Sequence, residues 1–147
     1  MKTGIAIIAG VLLAGSLALA ASAQQMSNVK TFHATLSGAQ EVPKVATAGT
    51  GSADLKLDTS TKMLSWTVTY SGLTGPAVAA HIHGPAAIGA NAGVLVPFSD
   101  VGMSTFTGSA KLSDAQIADL MAGKTYVNIH TAANKGGEIR GQVGPGM

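Results

Sequence analysis

The chain contains no cysteine and few aromatic or charged residues. Among its 147 residues, cysteine is absent, aromatic residues make up 4% and charged residues 11%. The absence of cysteine excludes a cysteine-ligated metal centre, a thiol nucleophile and a redox disulfide. Without disulfides, the fold must be stabilised by apolar burial and strand pairing alone, which a chain of this length can achieve.

Positive charge is also scarce and dispersed. The chain has nine basic and seven acidic residues, so its isoelectric point of about 9.1 reflects a formal net charge of only +2. The lysines are scattered singly, and Arg140 is the single arginine. Nucleic-acid grooves and anionic membrane surfaces are bound by clustered positive charge. The sequence therefore predicts no nucleic-acid partner.

The longest apolar run lies at the N-terminus. Residues 5–20 are almost wholly apolar, follow Lys2, and precede Ala21-Ser22-Ala23, which has the A-x-A pattern of a signal-peptide cleavage site. We predict that residues 1–23 are a signal peptide and that the mature protein, starting at Gln24, is periplasmic or extracellular. A retained membrane anchor is the alternative, but the run is short for a span of ~20 residues. No membrane span is expected after cleavage.

The remainder, residues 24–147, has the pattern of one all-β domain. Apolar and polar residues alternate in 53–57 and 64–70, which is typical of strands with one buried face, and a polar turn at 58–61 joins them into a hairpin. Further predicted strands lie at 29–36, 78–83, 94–98, 104–111, 125–131 and 138–143. Roughly eight short strands favour a β-sandwich or Greek-key barrel.

One short helix is predicted near residues 114–122. Ser113 and Gln116 have the spacing of a capping box, in which each side chain satisfies a backbone donor of the first turn. An apolar stripe at helical spacing follows, formed by Ile117, Leu120 and Met121. We expect this helix to cover one end of the sheet.

Three of the four histidines lie in two predicted strands, His81 and His83 in one and His130 in the other. Side chains alternate along a strand, so His81 and His83 share one face. If the two strands are neighbours, all three imidazoles converge on one point. Three histidines with an open fourth position form a metal site, and imidazole suits copper and zinc. A copper or zinc site of His81, His83 and His130 is therefore a hypothesis alongside a structural role of these histidines, with His33 as a candidate fourth ligand.

Four further residues are candidates for the surroundings of this site. Glu41, Asn128 and Glu138 are predicted partners that fix the orientation of the rings. Arg140 is predicted either to hold an anion beside the histidines or to form an ion pair with Glu41 or a cross-strand partner.

A structural role for the histidines remains open, because such rings also bond neighbouring backbone or carboxylates. No serine lies in a nucleophile motif and no paired carboxylates stand near the histidines in sequence. A histidine acts as a general base only with a substrate within reach. No catalytic residue is therefore assigned.

Several segments resemble the CHRD domain, the module of chordin and of many exported bacterial proteins. They are residues 36–43 (LSGAQEVP), 72–76 (GLTGP), 80–86 (AHIHGPA), 123–131 (GKTYVNIHT) and 136–142 (GGEIRGQ). The resemblance extends from about residue 31 to residue 143 and implies an immunoglobulin-like β-barrel. The family has no agreed enzymatic activity. The resemblance thus implies a non-enzymatic binding or structural module of the cell envelope, whose protein or envelope partner is unknown.

A shorter stretch is similar to copper–zinc superoxide dismutases, in which Gly-Leu-Thr precedes a His-x-His strand. The equivalents here are Gly72-Leu73-Thr74 and His81-Ile82-His83. This similarity implies, as a further alternative, a copper-dependent dismutase-like enzyme. The chain lacks the disulfide and the full two-metal ligand set of those enzymes, so a two-metal dismutase is not expected.

Overall fold

The computed structural model describes residues 28–146. The predicted signal peptide, residues 1–23, lies outside this range. Within the described range, neither helical segment has the length and apolar character needed to cross a membrane.

Nine strands, one α-helix and one 3-10 turn make up the described part of the chain. They are β1 (Val29–Ser37), the 3-10 turn (Gly38–Gln40), β2 (Thr50–Asp58), β3 (Met63–Ser71), β4 (Ala77–His83), β5 (Val94–Pro97), β6 (Thr105–Lys111), α1 (Asp114–Met121), β7 (Tyr126–Thr131), β8 (Ile139–Gln142) and β9 (Gly144–Pro145). The predicted all-β barrel with one short helix is confirmed. The two-residue strand β9 was not predicted, because glycine and proline are both poor strand formers.

The strands form one antiparallel sheet that curls into a nearly closed barrel. Their order is β5-β4-β7-β8-β1-β2-β3-β6, and β9 pairs with β1. The predicted hairpin is β2–β3, which is in register from Asp58↔Met63 to Thr50↔Ser71. Its turn is closed by the Asp58 carboxylate, which accepts hydrogen bonds from the backbone and the hydroxyl of Ser60.

The barrel core is built by alternation. Leu55 and Leu57 of β2 and Trp66 and Val68 of β3 point inward and are buried, while their neighbours on the outer face are mostly exposed. Complete burial of a leucine or valine side chain contributes about 1.5–3 kcal/mol. The strand β7 differs, since all six of its residues are buried. Loops therefore cover the outer face of β7 while the core covers its inner face.

The helix α1 begins with the predicted capping box. The Ser113 hydroxyl accepts a hydrogen bond from the Gln116 backbone N–H at 3.2 Å, and the Gln116 side-chain oxygen accepts one from the Ser113 N–H at 2.9 Å. The Gln116 amide also donates to the Leu95 carbonyl, which ties α1 to β5. Leu120 is buried, but Met121 is 50% exposed, so the apolar stripe is narrower than predicted.

Replacing Ser113 with alanine is expected to lower the free energy of unfolding by about 1 kcal/mol, because the cap of the Gln116 N–H is lost. Urea denaturation measures the change. Ser109→Ala, at an exposed position of β6, is the matched control and should change stability by less than about 0.5 kcal/mol. Equal effects of the two substitutions would contradict a specific capping role.

Candidate metal centre

The pairing of β4 with β7 brings three histidines together on the outer face of the barrel. In this ladder, Ala79 pairs with His130, His81 with Asn128, and His83 with Tyr126. His81 and His83 therefore lie on one strand and His130 lies diagonally across from them on the next. This is the neighbour relation that convergence of the three imidazoles requires.

The three rings lie close enough to share one ion. Their centroids are 4.9 Å apart for His81 and His130, 5.2 Å for His81 and His83, and 5.9 Å for His83 and His130. One nitrogen of each ring lies within 4.8 Å of the others, and Nδ1 of His81 is 3.1 Å from Nε2 of His130. Two nitrogens bound tetrahedrally to one zinc ion are about 3.4 Å apart. Modest side-chain rotations would therefore bring all three within ligating distance.

Backbone carbonyls determine which nitrogen of two rings is free. Nδ1 of His83 donates to the Ala92 carbonyl at 3.0 Å, and Nδ1 of His130 donates to the Lys135 carbonyl at 2.9 Å. A carbonyl only accepts, so the proton of each neutral ring lies on Nδ1 and the Nε2 lone pair is available. Bonds of this kind fix the tautomer of metal-binding histidines.

The Nε2 atoms of His130 and His83 differ in their hydrogen bonding. Nε2 of His130 accepts the hydrogen bond from Nδ1 of His81. Nε2 of His83 is buried and has no hydrogen-bond partner within residues 28–146. Leaving such a group unsatisfied costs about 1–3 kcal/mol. An ion at this point would satisfy both lone pairs and would take the place of the proton between His81 and His130.

The electrostatic environment favours the neutral, ligating form of His81 and His83. Burial lowers the pKa of His81, and the neighbouring His130 and His83 lower it further. Burial also lowers the pKa of His83; the bond to the Ala92 carbonyl opposes this shift, whereas the charges of His130 and Arg140 add to it. Neutral imidazole is the form that binds metal ions, so the shifts favour ion binding near neutral pH.

Tyr126 and Arg140 form a stack beside the histidines. The rings of Tyr126 and His83 are parallel to within 3°, with centroids 4.9 Å apart, and Cζ of Arg140 lies 3.6 Å from the Tyr126 centroid. The Tyr126 hydroxyl bonds the backbone N–H and carbonyl of Ala92. The Tyr126 hydroxyl thus contacts the same carbonyl, that of Ala92, to which His83 donates.

His33 does not join the cluster. Its Nδ1 lies 2.8 Å from a carboxylate oxygen of Asp54, its partner in the β1–β2 ladder, and its side chain is 43% exposed. The expectation that His33 is a fourth ligand is therefore corrected. The physical reason is the strand order, which places β8 between β1 and β7.

The predicted ring-orienting residues have other partners. Asn128 donates to Glu41 and to the Ile139 carbonyl. Glu138 accepts hydrogen bonds from threonine hydroxyls and from the amide of Asn134. The carbonyls of Ala92 and Lys135 orient the rings instead. The sequence analysis allowed for backbone partners of the rings, but it could not identify these two carbonyls, because a backbone carbonyl carries no residue signature.

The predicted ion pair between Arg140 and Glu41 is also absent from the structure. The Arg140 guanidinium is buried and donates to the Asn91 side chain and the Ala90 carbonyl. No carboxylate within residues 28–146 lies at salt-bridge distance from it. Burial raises the pKa of Glu41 to about 7, and the Asn128 hydrogen bond and the Arg140 charge offset this rise only in part. Arg140 is thus a buried cation without a directly contacting anion.

Fold and site together define a small antiparallel β-barrel with a histidine cluster beneath its loops. The sequence profile of the CHRD domain matches residues 32–143. The chain belongs to the CHRD domain family, which confirms the resemblance noted from its motifs. Searches of the curated proteins and of the solved structures gave no match. Membership of this family supports a non-catalytic binding or structural module.

Proposed function

We propose that the chain is an exported, non-enzymatic binding module of the cell envelope that holds a copper or zinc ion through His81, His83 and His130. The observation that carries this proposal is the closeness of the three rings together with the state of their nitrogens. One nitrogen of each ring lies within 4.8 Å of the others, and the rings of His83 and His130 are tied by Nδ1 to backbone carbonyls, which leaves their Nε2 lone pairs able to ligate. A purely structural role needs the carbonyl bonds, but it does not need a buried Nε2 without a partner.

The ligand set determines the chemistry of the proposed site. Three neutral nitrogens leave an open coordination position, which accommodates water or a group of a partner. His81 is less buried than His83, so a partner group would reach a bound ion from the side of His81. Export rests on the signal peptide predicted at residues 1–23 and on the family resemblance. The partner in the envelope would reach the ion past His81.

The proposal is tested by titrating metal-free protein, residues 24–147, with Cu⁺, Cu²⁺ and Zn²⁺ against chelators of known affinity. We expect one ion per chain and a loss of affinity of about 100-fold or more in each of His81→Ala, His83→Ala and His130→Ala, since each removes one of three ligands. His33→Ala is the matched control, because it removes a histidine outside the cluster. The His33→Ala variant should bind the metal ion as tightly as the parent protein does.

Two results would contradict the proposal. One is no uptake at micromolar metal, and the other is unchanged uptake when all three cluster histidines are alanine. Circular dichroism of every variant separates loss of a ligand from loss of the fold. A variant that retains its spectrum and loses the ion supports direct ligation.

A further inference from the structure

Arg140 is a buried cation beside the histidine cluster, and no carboxylate within residues 28–146 lies at salt-bridge distance from it. Arg140 is 2% exposed and lies over Tyr126, whose ring is stacked on that of His83. Its hydrogen bonds go to the neutral acceptors Asn91 and Ala90. The positive charge of Arg140 is therefore not neutralised by the groups it touches.

The cluster itself contributes no negative charge. Its ligand group consists of three histidines, with no aspartate or glutamate among the described residues that form it. Glu41, the carboxyl linked to the cluster strand through Asn128, is buried and is not within salt-bridge distance of Arg140. A bound ion would thus have neutral ligands and a fixed positive charge one stacked ring away.

Such surroundings discriminate between ions by charge. The repulsion between a fixed cation and a bound ion doubles when the ion carries two charges instead of one. Removing charge from water into a buried site also costs more for a divalent ion, unless anionic ligands compensate. The two ions also differ in coordination number. Zn²⁺ is almost always four-coordinate and needs a fourth ligand besides the three histidines, whereas Cu⁺ can be bound by three nitrogens alone. Each of these effects favours a monovalent ion.

We propose that the site of His81, His83 and His130 is selective for Cu⁺ over Zn²⁺, and that Arg140 contributes this selectivity from its place above Tyr126. This inference rests on the proposed function, since it presumes that the cluster binds an ion. Arg140 acts as a positioning and specificity residue that does not touch the ion. Its charge would penalise Zn²⁺ and Cu²⁺ more than Cu⁺.

The test is a pair of competition titrations on residues 24–147, one with Cu⁺ against bicinchoninate without oxygen and one with Zn²⁺ against a fluorescent zinc chelator. We expect tighter binding of Cu⁺ than of Zn²⁺. In Arg140→Met, which removes the charge but keeps an unbranched side chain over Tyr126, the ratio of the two dissociation constants should fall by about tenfold. If Arg140 had only a structural role, the substitution would weaken the binding of both ions equally and would leave the ratio of the dissociation constants unchanged.

Two variants serve as controls. Arg140→Lys retains the charge and should retain the ratio. Lys111→Met removes an exposed positive charge from β6, at the other edge of the sheet, and should also leave the ratio unchanged. If Arg140→Met does not fold by circular dichroism, Arg140→Gln replaces it, since the amide preserves a donor towards Asn91.

The outcomes separate this inference from the proposed function. Zn²⁺ binding as tightly as Cu⁺ in the parent protein would overturn the selectivity while leaving the metal site in place. An unchanged ratio in the neutral variant would overturn the role of Arg140 alone. Binding of neither ion would overturn the proposed function, and this inference with it.

Discussion

Replacing Glu138 with glutamine is expected to lower the free energy of unfolding by about 3 kcal/mol at pH 7. The Glu138 side chain is fully buried and accepts hydrogen bonds from the hydroxyls of Thr47 at 2.6 Å, Thr74 at 2.7 Å and Thr131 at 2.7 Å. It also accepts one from the Thr74 N–H at 2.8 Å. An amide offers one acceptor oxygen in place of two, so several of these donors would be left unsatisfied.

The pH dependence of this loss follows from the pKa of Glu138. Burial alone would raise it, but the hydrogen bonds from Thr47, Thr74 and Thr131 outweigh burial and lower the pKa from 4.5 to about 2. Between pH 2 and 4.5, the unfolded chain therefore binds more protons at this group than the folded chain does. The stability that ionised Glu138 contributes is present above pH 4.5 and is lost as the pH falls towards 2.

Glu41→Gln is the matched control, because Glu41 is also buried but has the opposite pKa shift, to about 7. The folded chain holds a proton on Glu41 between pH 4.5 and 7, so wild-type stability falls as the pH rises through this range. Glutamine at this position cannot ionise, so the variant should not lose stability as the pH rises through this range. Its oxygen still accepts the hydrogen bond from Asn128. We expect Glu41→Gln to be neutral below pH 4.5 and stabilising at pH 8.

Urea denaturation from pH 2.5 to 8 measures both substitutions. Glu138→Gln should be most destabilising above pH 5 and should approach wild type at the acid end. A uniform destabilisation at every pH would show that the loss comes from packing rather than from the carboxylate charge. A destabilising Glu41→Gln at pH 8 would contradict the assignment of a raised pKa to Glu41.

Replacing Gly141 with alanine is expected to cost about 3 kcal/mol, the upper part of the range for overpacking a core. Gly141 lies in β8 and is buried where this strand approaches β1. A Cβ atom at this position would overlap the Thr35 carbonyl oxygen and would lie 2.8 Å from its carbonyl carbon. Backbone cannot rotate away as a flexible side chain can, so β8 would have to separate from β1.

Gly144→Ala, three residues later, is the matched control. Gly144 pairs with His33 of β1, and a Cβ atom there would meet no heavy atom within 4 Å. Since alanine restricts the unfolded chain more than glycine does, this substitution should be neutral or stabilising by up to about 1 kcal/mol. Thermal unfolding of the two variants compares them. Similar melting temperatures would refute the close approach of β8 to β1 at Gly141.

Local sequence patterns were sufficient for most of the secondary structure. Alternation predicted the β2–β3 hairpin, and the spacing of Ser113 and Gln116 predicted the start of α1. Both depend on residues within a few positions of one another, where the periodicity of strand and helix is decisive. The strand β9 escaped prediction because it exists only through pairing with β1.

For the candidate site, the sequence could predict that His81 and His83 share one face of a strand, but it could not predict which other groups surround them. His81 and His83 lie on the same side of any strand that contains both, so their proximity is a local property. The exclusion of His33 could not be predicted, because it depends on β8 lying between β1 and β7. The positions of Arg140 over Tyr126 and of Glu138 among threonines depend likewise on contacts between distant segments.

By itself, the sequence determined an all-β domain with one capped helix, no cysteine chemistry, and two histidines on one strand face. Only the tertiary structure decided that His130 joins them, that loop carbonyls hold Nδ1 of His83 and His130, and that a buried arginine lies beside them. The physical reason is the distance along the sequence over which each interaction acts. Backbone periodicity acts between near neighbours, whereas strand order, register and loop placement follow from burial and hydrogen bonding over the whole barrel.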